Sequence, residues 1–212
     1  MVNGLIAVID YGMGNLRSVC KALEMLGHQA EVTRDSKVIA SADRVILPGV
    51  GAFGAAMANL DKYGLIEVMK DVVASGKPFL GICLGMQLLL DESEEQGTFQ
   101  GLGIIPGKVL KFFQESDTNQ YTSRLKIPHM GWNSIRIKKP APILDGIEDG
   151  AMVYFVHSYY VAPDADVVAA TTEHGIEYCS VLWKDNVSAT QFHPEKSGDV
   201  GLKMLRNFAE AG

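Results

Sequence analysis

Gly81-Ile82-Cys83-Leu84-Gly85 sets a thiol with a glycine two residues away on either side. This is the G-x-nucleophile-x-G spacing of a sharp strand-to-helix turn, whose flanks leave no room for side chains. Such a turn lifts the thiol above the strand ends. The helix that follows favours a thiolate at its N-terminus and offers the Leu84 N–H to an oxyanion. A free cysteine is more commonly one more small core residue. What favours a nucleophile at Cys83 is the run of strand, turn and helical pattern around it, whereas Cys20 and Cys179 sit inside a helical and a strand pattern and read as structural.

A thiol nucleophile needs a base, and Gln191-Phe192-His193-Pro194-Glu195 supplies one at the end of the run from Val187 to Phe192. In extended backbone, residues two apart point the same way, so His193 can face the thiol while Glu195 faces the imidazole. Alone, His-Pro-Glu is more often a surface turn; its force comes from the cysteine turn in the same chain. Pro48-Gly49-Val50-Gly51-Ala52-Phe53-Gly54 follows another apolar run, Arg44 to Leu47. Read as more than a plain connection, it exposes backbone N–H groups of Val50 and Gly51 as the second wall of an oxyanion hole. The Gly12/Gly14 loop admits a phosphate-binding reading, but G-x-G is too short a match to carry it.

These groups need a scaffold, and the hydrophobic periodicity describes one. Leu5 to Asp10, Ala30 to Thr33, Arg44 to Leu47 and Phe79 to Ile82 read as strands; helical spacing runs from Leu16 to Leu26, Leu65 to Ser75 and Leu84 to Leu90. Gly27 and Gly76 are placed to stop the first two helices. Apolar strands alternating with helices predict βαβ units and a mainly parallel sheet covered on both faces. After about residue 100 the rhythm changes to strand-like runs at Val109 to Phe112, Ser134 to Ile137, Met152 to Val156, Val167 to Thr172, Tyr178 to Trp183 and Val187 to Phe192. An antiparallel extension of the sheet is expected there, closed by a helix from about Val200 to Ala211. Gln114 to Arg124 is the expected mobile loop. With no internal repeat or long linker, the 212 residues are expected to form a single domain over 1–212.

Composition narrows the function classes. Nineteen basic against 25 acidic residues give a net charge of −6 with the basic residues scattered, which argues against nucleic-acid or anionic-membrane partners. No apolar run approaches the roughly 18 residues of a membrane span, and Met1-Val2-Asn3-Gly4 lacks the basic start of a signal peptide, so a cytosolic protein is expected. Three widely spaced cysteines without a C-x-x-C pair indicate neither a disulfide framework nor a zinc site.

Taken together, Gly-Ile-Cys83-Leu-Gly-Met-Gln87, the Pro-Gly-Val-Gly51 loop and His193-Pro-Glu195 resemble the triad-type (class I) glutamine amidotransferases, over nearly the whole chain from Asp10 to Ser197. Within that family, Asp10-Tyr-Gly-Met-Gly-Asn15, Met86, Pro128-His-Met-Gly-Trp132-Asn133, His157-Ser158-Tyr159 and Lys196-Ser197 resemble the glutaminase subunits of imidazole glycerol phosphate synthases. The resemblance implies a flavodoxin-like α/β fold and a Cys83-His193-Glu195 triad that hydrolyses glutamine through a thioester without metal or organic cofactor. It also implies that Gln87, Glu95, Ser158 and Tyr159 hold the glutamine. The implied partner is a (β/α)8 barrel cyclase that uses the ammonia, with Asn15, Trp132 in a Met-Gly-Trp-Asn turn, Tyr154 and Lys196 around the crevice where it docks. Two other readings stay open on the residues alone. One is a thiol or lactone hydrolase built on the same cysteine turn, and the other is a flavodoxin-like module using the Gly12/Gly14 loop for flavin.

Overall fold

Ile6–Ile9 (β1) is buried at every position, which is why its sequence shows no polar alternation. In the computed structural model, which describes residues 4–113, 125–163 and 166–211, its successive side chains feed two different cores. Ala7 and Ile9 pack into one, Ile6 and Val8 into the other. β1 lies between β2 (Ala30–Thr33) and β3 (Arg44–Gly49), and β3 pairs with β4 (Phe79–Cys83), all parallel. Strand β14 (Val187–Thr190) joins β4 in parallel from the far end of the chain. The two sequence segments carrying Cys83 and His193 therefore finish side by side at one end of the sheet.

Helices α2 (Ser36–Ser41), α3 (Phe53–Lys62) and α4 (Leu65–Ala74) put Ile39, Phe53, Leu60 and Met69 into the first core. Helices α1 (Leu16–Met25) and α6 (Gly198–Glu210) put Leu23, Leu205 and Phe208 into the second. Gly27 and Gly76 follow α1 and α4 with φ of 83° and 80°, the left-handed conformation that ends a helix without a Cβ penalty. Two expectations are corrected by the structure. Helix α5 (Leu84–Leu88) ends two residues before Leu90. Helix α3 begins inside the segment read as loop, because Gly54 and the alanines around it dilute the stripe of Phe53, Ala56 and Leu60 that it buries. The short α2 was not anticipated.

Beyond β14 the sheet turns antiparallel through β13 (Glu177–Lys184), β11 (Tyr159–Pro163) and β7 (Gly107–Lys111). It ends on two short strands, β5 (Glu92–Ser93) and β6 (Phe99–Gln100), while β12 (Val168–Glu173) and β9 (Arg136–Ile137) pair alongside β13. A separate two-stranded ribbon joins β8 (His129–Ser134) to β10 (Met152–His157), with Trp132 opposite Tyr154. Met-Gly-Trp-Asn is thus strand, not turn; it pairs along its whole length with β10. The Ser134 to Ile137 run is divided between β8 and β9. The loop expected at Gln114 to Arg124 lies outside the described residues. Among the described residues no helix is long and apolar enough to cross a membrane.

Candidate active site

Cys83 closes β4 and precedes the first turn of α5 with φ 55° and ψ −110°, a conformation that costs a non-glycine residue about 1–3 kcal/mol. The glycines beside it have distinct reasons. A Cβ on Gly85 would overlap the Leu47 carbonyl oxygen of β3, and one on Gly81 would stand 2.9 Å from the Gly85 carbonyl oxygen. The elbow is therefore pressed against the neighbouring strand, and that packing holds the strained cysteine in place. Because α5 has only five residues, it offers first-turn N–H groups more than an extended dipole. Opposite, Gly51 has φ 100° and lies with Val50 on the same pocket.

His193 follows β14 and is buried. Its N–H donates to the Tyr154 carbonyl at 3.0 Å and its carbonyl accepts from Ser197 Oγ at 2.7 Å, while Tyr154 N–H donates to the same Ser197 Oγ at 3.0 Å and closes the ring of contacts. Extended backbone does not bring His193 and Glu195 together, as the two-residue spacing predicted; a 3-10 turn at Pro194–Lys196 does. His193 Nδ1 lies 2.8 Å from Glu195 Oε1, with both side chains shielded from solvent. Nε2 makes no hydrogen bond to the other described residues and belongs to the pocket that holds Cys83. Burial opposes protonation of the ring, but the negative charges of Cys83 and Glu195 prevail and raise its pKa to about 9. His193 is therefore held in its protonated form near neutral pH, with Nε2 facing the pocket of Cys83.

The pocket, about 340 Å³, is lined by all the residues expected around the substrate: Cys83, His193, Val50, Gly51, Leu84, Gln87, Glu95, Ser158 and Tyr159. Pro128, Val156 and His157 complete its wall. Glu95 Oε2 accepts the Phe53 N–H at 2.7 Å, so one carboxylate oxygen anchors the start of α3. Burial and the Glu95 charge both raise the Tyr159 pKa. The four residues expected at a partner contact stay off this wall. Trp132 is 55% exposed with its ring 6.3 Å from that of Tyr154, and Lys196 is exposed beside Glu195. Asn15 instead donates to Glu195 Oε1 at 3.4 Å and accepts from Ser18 Oγ at 2.8 Å. Cys20 and Cys179 are buried, and burial raises both thiols, Cys179 to about 12. In the Gly12/Gly14 loop the Gly12 N–H is already taken by Asp10 Oδ1 at 2.9 Å.

The family described as glutamine amidotransferase class-I matches residues 7–211. The chain is 56% identical over 207 residues to the imidazole glycerol phosphate synthase subunit HisH of Syntrophotalea carbinolica, covering 97% of this chain and 100% of that protein. It is 55% identical to the same-named subunit of Geobacter sulfurreducens, covering 97% and 98%. The chain belongs to the class I glutamine amidotransferases, in the HisH branch. In fold, this amidotransferase is similar to the structure of PurLQS from Thermotoga maritima, with TM-score 0.74 at 18% identity and 98% of both chains covered. A crystal structure of a glutamine amidotransferase gives TM-score 0.72 at 18% identity, covering 96% and 98%.

Two features of the amidotransferase site were not legible beforehand. Gln191, fully buried, places Nε2 at 3.8 Å from Cys83 Sγ; its only sign in the sequence was its position two residues before His193. The second is a buried chain that runs from the ribbon to the pocket. Asn133 Nδ2 donates to the Glu173 carbonyl at 2.9 Å and so must also donate to His129 Nε2 at 3.3 Å. That assigns His129 Nδ1–H to the Tyr178 hydroxyl at 3.0 Å, the hydroxyl proton to His157 Nε2 at 3.1 Å, and His157 Nδ1–H to the Tyr159 carbonyl at 2.8 Å. Burial keeps both rings neutral, His129 at about 4 and His157 at about 3. Five strands, β8, β10, β11, β12 and β13, must come together before these residues meet, so no local spacing announces them. Among the described residues no cluster of histidine, cysteine and carboxylate side chains is arranged to hold a metal.

Proposed function

We propose that this chain hydrolyses glutamine with Cys83, His193 and Glu195 and passes the ammonia to a partner subunit. The observation that carries the reading is the buried Nδ1–Oε1 pair, 2.8 Å long, behind an Nε2 that shares the pocket of the strained Cys83. Cys83 Sγ attacks the side-chain amide carbon, and the oxyanion is met by N–H groups of Leu84 and of the Val50-Gly51 turn. His193 gives the departing amine its proton as the tetrahedral intermediate collapses to a thioester. Water, activated by the now neutral imidazole, then releases glutamate and restores the thiol. Glu195 holds the ring and stabilises its charged form; Gln87, Glu95, Ser158 and Tyr159 hold the amino-acid end of the substrate.

Ammonia that escapes into water is protonated and lost as a nucleophile, so such a glutaminase works against a synthase that covers its mouth. The relatives are named subunits of imidazole glycerol phosphate synthase. The partner proposed for this chain is a (β/α)8 barrel cyclase that joins the ammonia to a ribonucleotide in histidine biosynthesis, yielding imidazole glycerol phosphate and an aminoimidazole carboxamide ribotide. Cys83→Ser should reduce glutamate release at least a thousandfold with the fold retained, and a glutamine-like alkylating analogue should label Cys83 while sparing Cys20 and Cys179. A Cys83→Ser protein that keeps a tenth of wild-type turnover would end the assignment.

A further inference from the structure

Between Cys83 and the pocket wall lies a pair of buried amides whose orientation the hydrogen bonds determine. Gln87 Nε2 stands 3.0 Å from the Tyr159 carbonyl oxygen, which can only accept, so Gln87 must present its NH2 group there. The same Nε2 lies 3.1 Å from the Gln191 side chain, which therefore presents its oxygen to Gln87. With Oε1 so committed, the Gln191 NH2 group is turned to Cys83 Sγ at 3.8 Å. Gln191 is fully buried, so water does not compete for these protons. A neutral thiol is a weak acceptor and a thiolate a strong one, while an unsatisfied buried N–H is costly. The amide therefore gains most when the sulfur is ionised.

We propose that Gln191 is a further residue of the catalytic machinery: its side-chain N–H donates to the Cys83 thiolate and stabilises it, and its carbonyl ties that donor to the substrate-holding Gln87. This rests on Cys83 being the nucleophile. Around the sulfur, the Val156 carbonyl at 4.0 Å suits the protonated thiol as an acceptor, and His193 and the buried Tyr11 phenol are the titratable groups that feel its charge. Gln191 is the uncharged donor that answers the carbonyl. The arrangement also links two functions usually treated apart. Holding the substrate end through Gln87 and holding the nucleophile through Gln191 become one connected set of hydrogen bonds.

The test measures the rate of Cys83 alkylation by iodoacetamide, followed by peptide mass mapping, from pH 6 to pH 10, alongside steady-state glutamate release. Gln191→Met keeps the volume and removes both donor and acceptor; Gln191→Glu keeps an acceptor for Gln87 but gives the thiolate no N–H. Both variants should alkylate about tenfold more slowly at pH 7 and converge on the wild-type rate at the alkaline end, with kcat reduced more than KM is raised. Wild-type alkylation profiles in both variants would overturn the proposal, as would a Gln191→Glu protein that behaves like wild type while Gln191→Met does not, since the residue would then act through Gln87 alone. If either variant fails to reach a native circular dichroism spectrum, the other decides. A Cys83→Ser enzyme that stays active would instead defeat the glutaminase reading itself, so the two failures are told apart.

Discussion

Cys83 on one side and Glu195 on the other together decide what His193 can do. The His193 pKa is raised to about 9 from an ordinary value of 6.5, with burial opposing and the Cys83 and Glu195 charges prevailing. A group raised on folding contributes stability that is complete below its unfolded value, near 6.5, and is lost as the pH climbs through about 9. The same loss of the imidazolium should end catalysis on the alkaline side. Glutamate release should thus fall above about pH 9, and Glu195→Gln should move that limb to lower pH while lowering kcat less than His193→Ala does. A pH-rate profile of the three proteins decides it; an alkaline limb that stays put in Glu195→Gln would show that the carboxylate does not set the ring's charge. Asn15, donating to the same Oε1, takes part in that positioning from the first loop.

At the scale of elements, the elbow depends on how closely α5 approaches β3. Gly85→Ala would drive a methyl group into the Leu47 carbonyl oxygen, a backbone atom in the middle of the sheet that cannot yield. The expected cost is about 3 kcal/mol or more. Gly27→Ala has open space around it, so only its φ of 83° is penalised, by about 1 kcal/mol. Denaturant midpoints should rank wild type above Gly27→Ala and Gly27→Ala well above Gly85→Ala. Equal midpoints for the two variants would mean that the elbow is not compressed against β3. The ribbon of β8 and β10 is the second decisive element: it supplies Tyr154 to the main chain of His193 and, through His129, Tyr178 and His157, reaches the pocket wall at Tyr159.

For the whole molecule, that ribbon also carries the exposed apolar side chains Met130, Trp132 and Met152, 62%, 55% and 48% exposed. A partner that seals the pocket against water would find there an aromatic anchor, with Lys196 as a charge beside Glu195. Trp132→Ala and Lys196→Ala should leave the triad assembled but weaken association with a barrel cyclase about tenfold or more, or raise the glutamate released per imidazole product formed. Calorimetry and product stoichiometry read the two effects; unchanged values in both variants would refute this surface as the interface and leave the glutaminase chemistry intact.

Cys83, His193 and Glu195 were legible in the chain because a nucleophile on a sharp turn imposes glycines at fixed offsets and a base must follow a strand end; both are local demands. The parallel strands were legible for a similar reason, since β1, β3 and β4 are buried on both faces and tolerate only apolar runs. Helix α3 was hidden by its small residues, and β11 and the pairing of β8 with β10 by their dependence on partners distant in sequence. Proximity of His193 to Glu195 came from a 3-10 turn, not from extended backbone, because Pro194 opens that turn directly after His193. Gln191, Asn15 and the His129-Tyr178-His157 chain gain their roles only where β4, β14, β13 and the ribbon converge. A side-chain hydrogen bond between elements depends on distances that the local sequence does not constrain, so tertiary packing alone decided which amide faces the sulfur and which histidine supports the pocket.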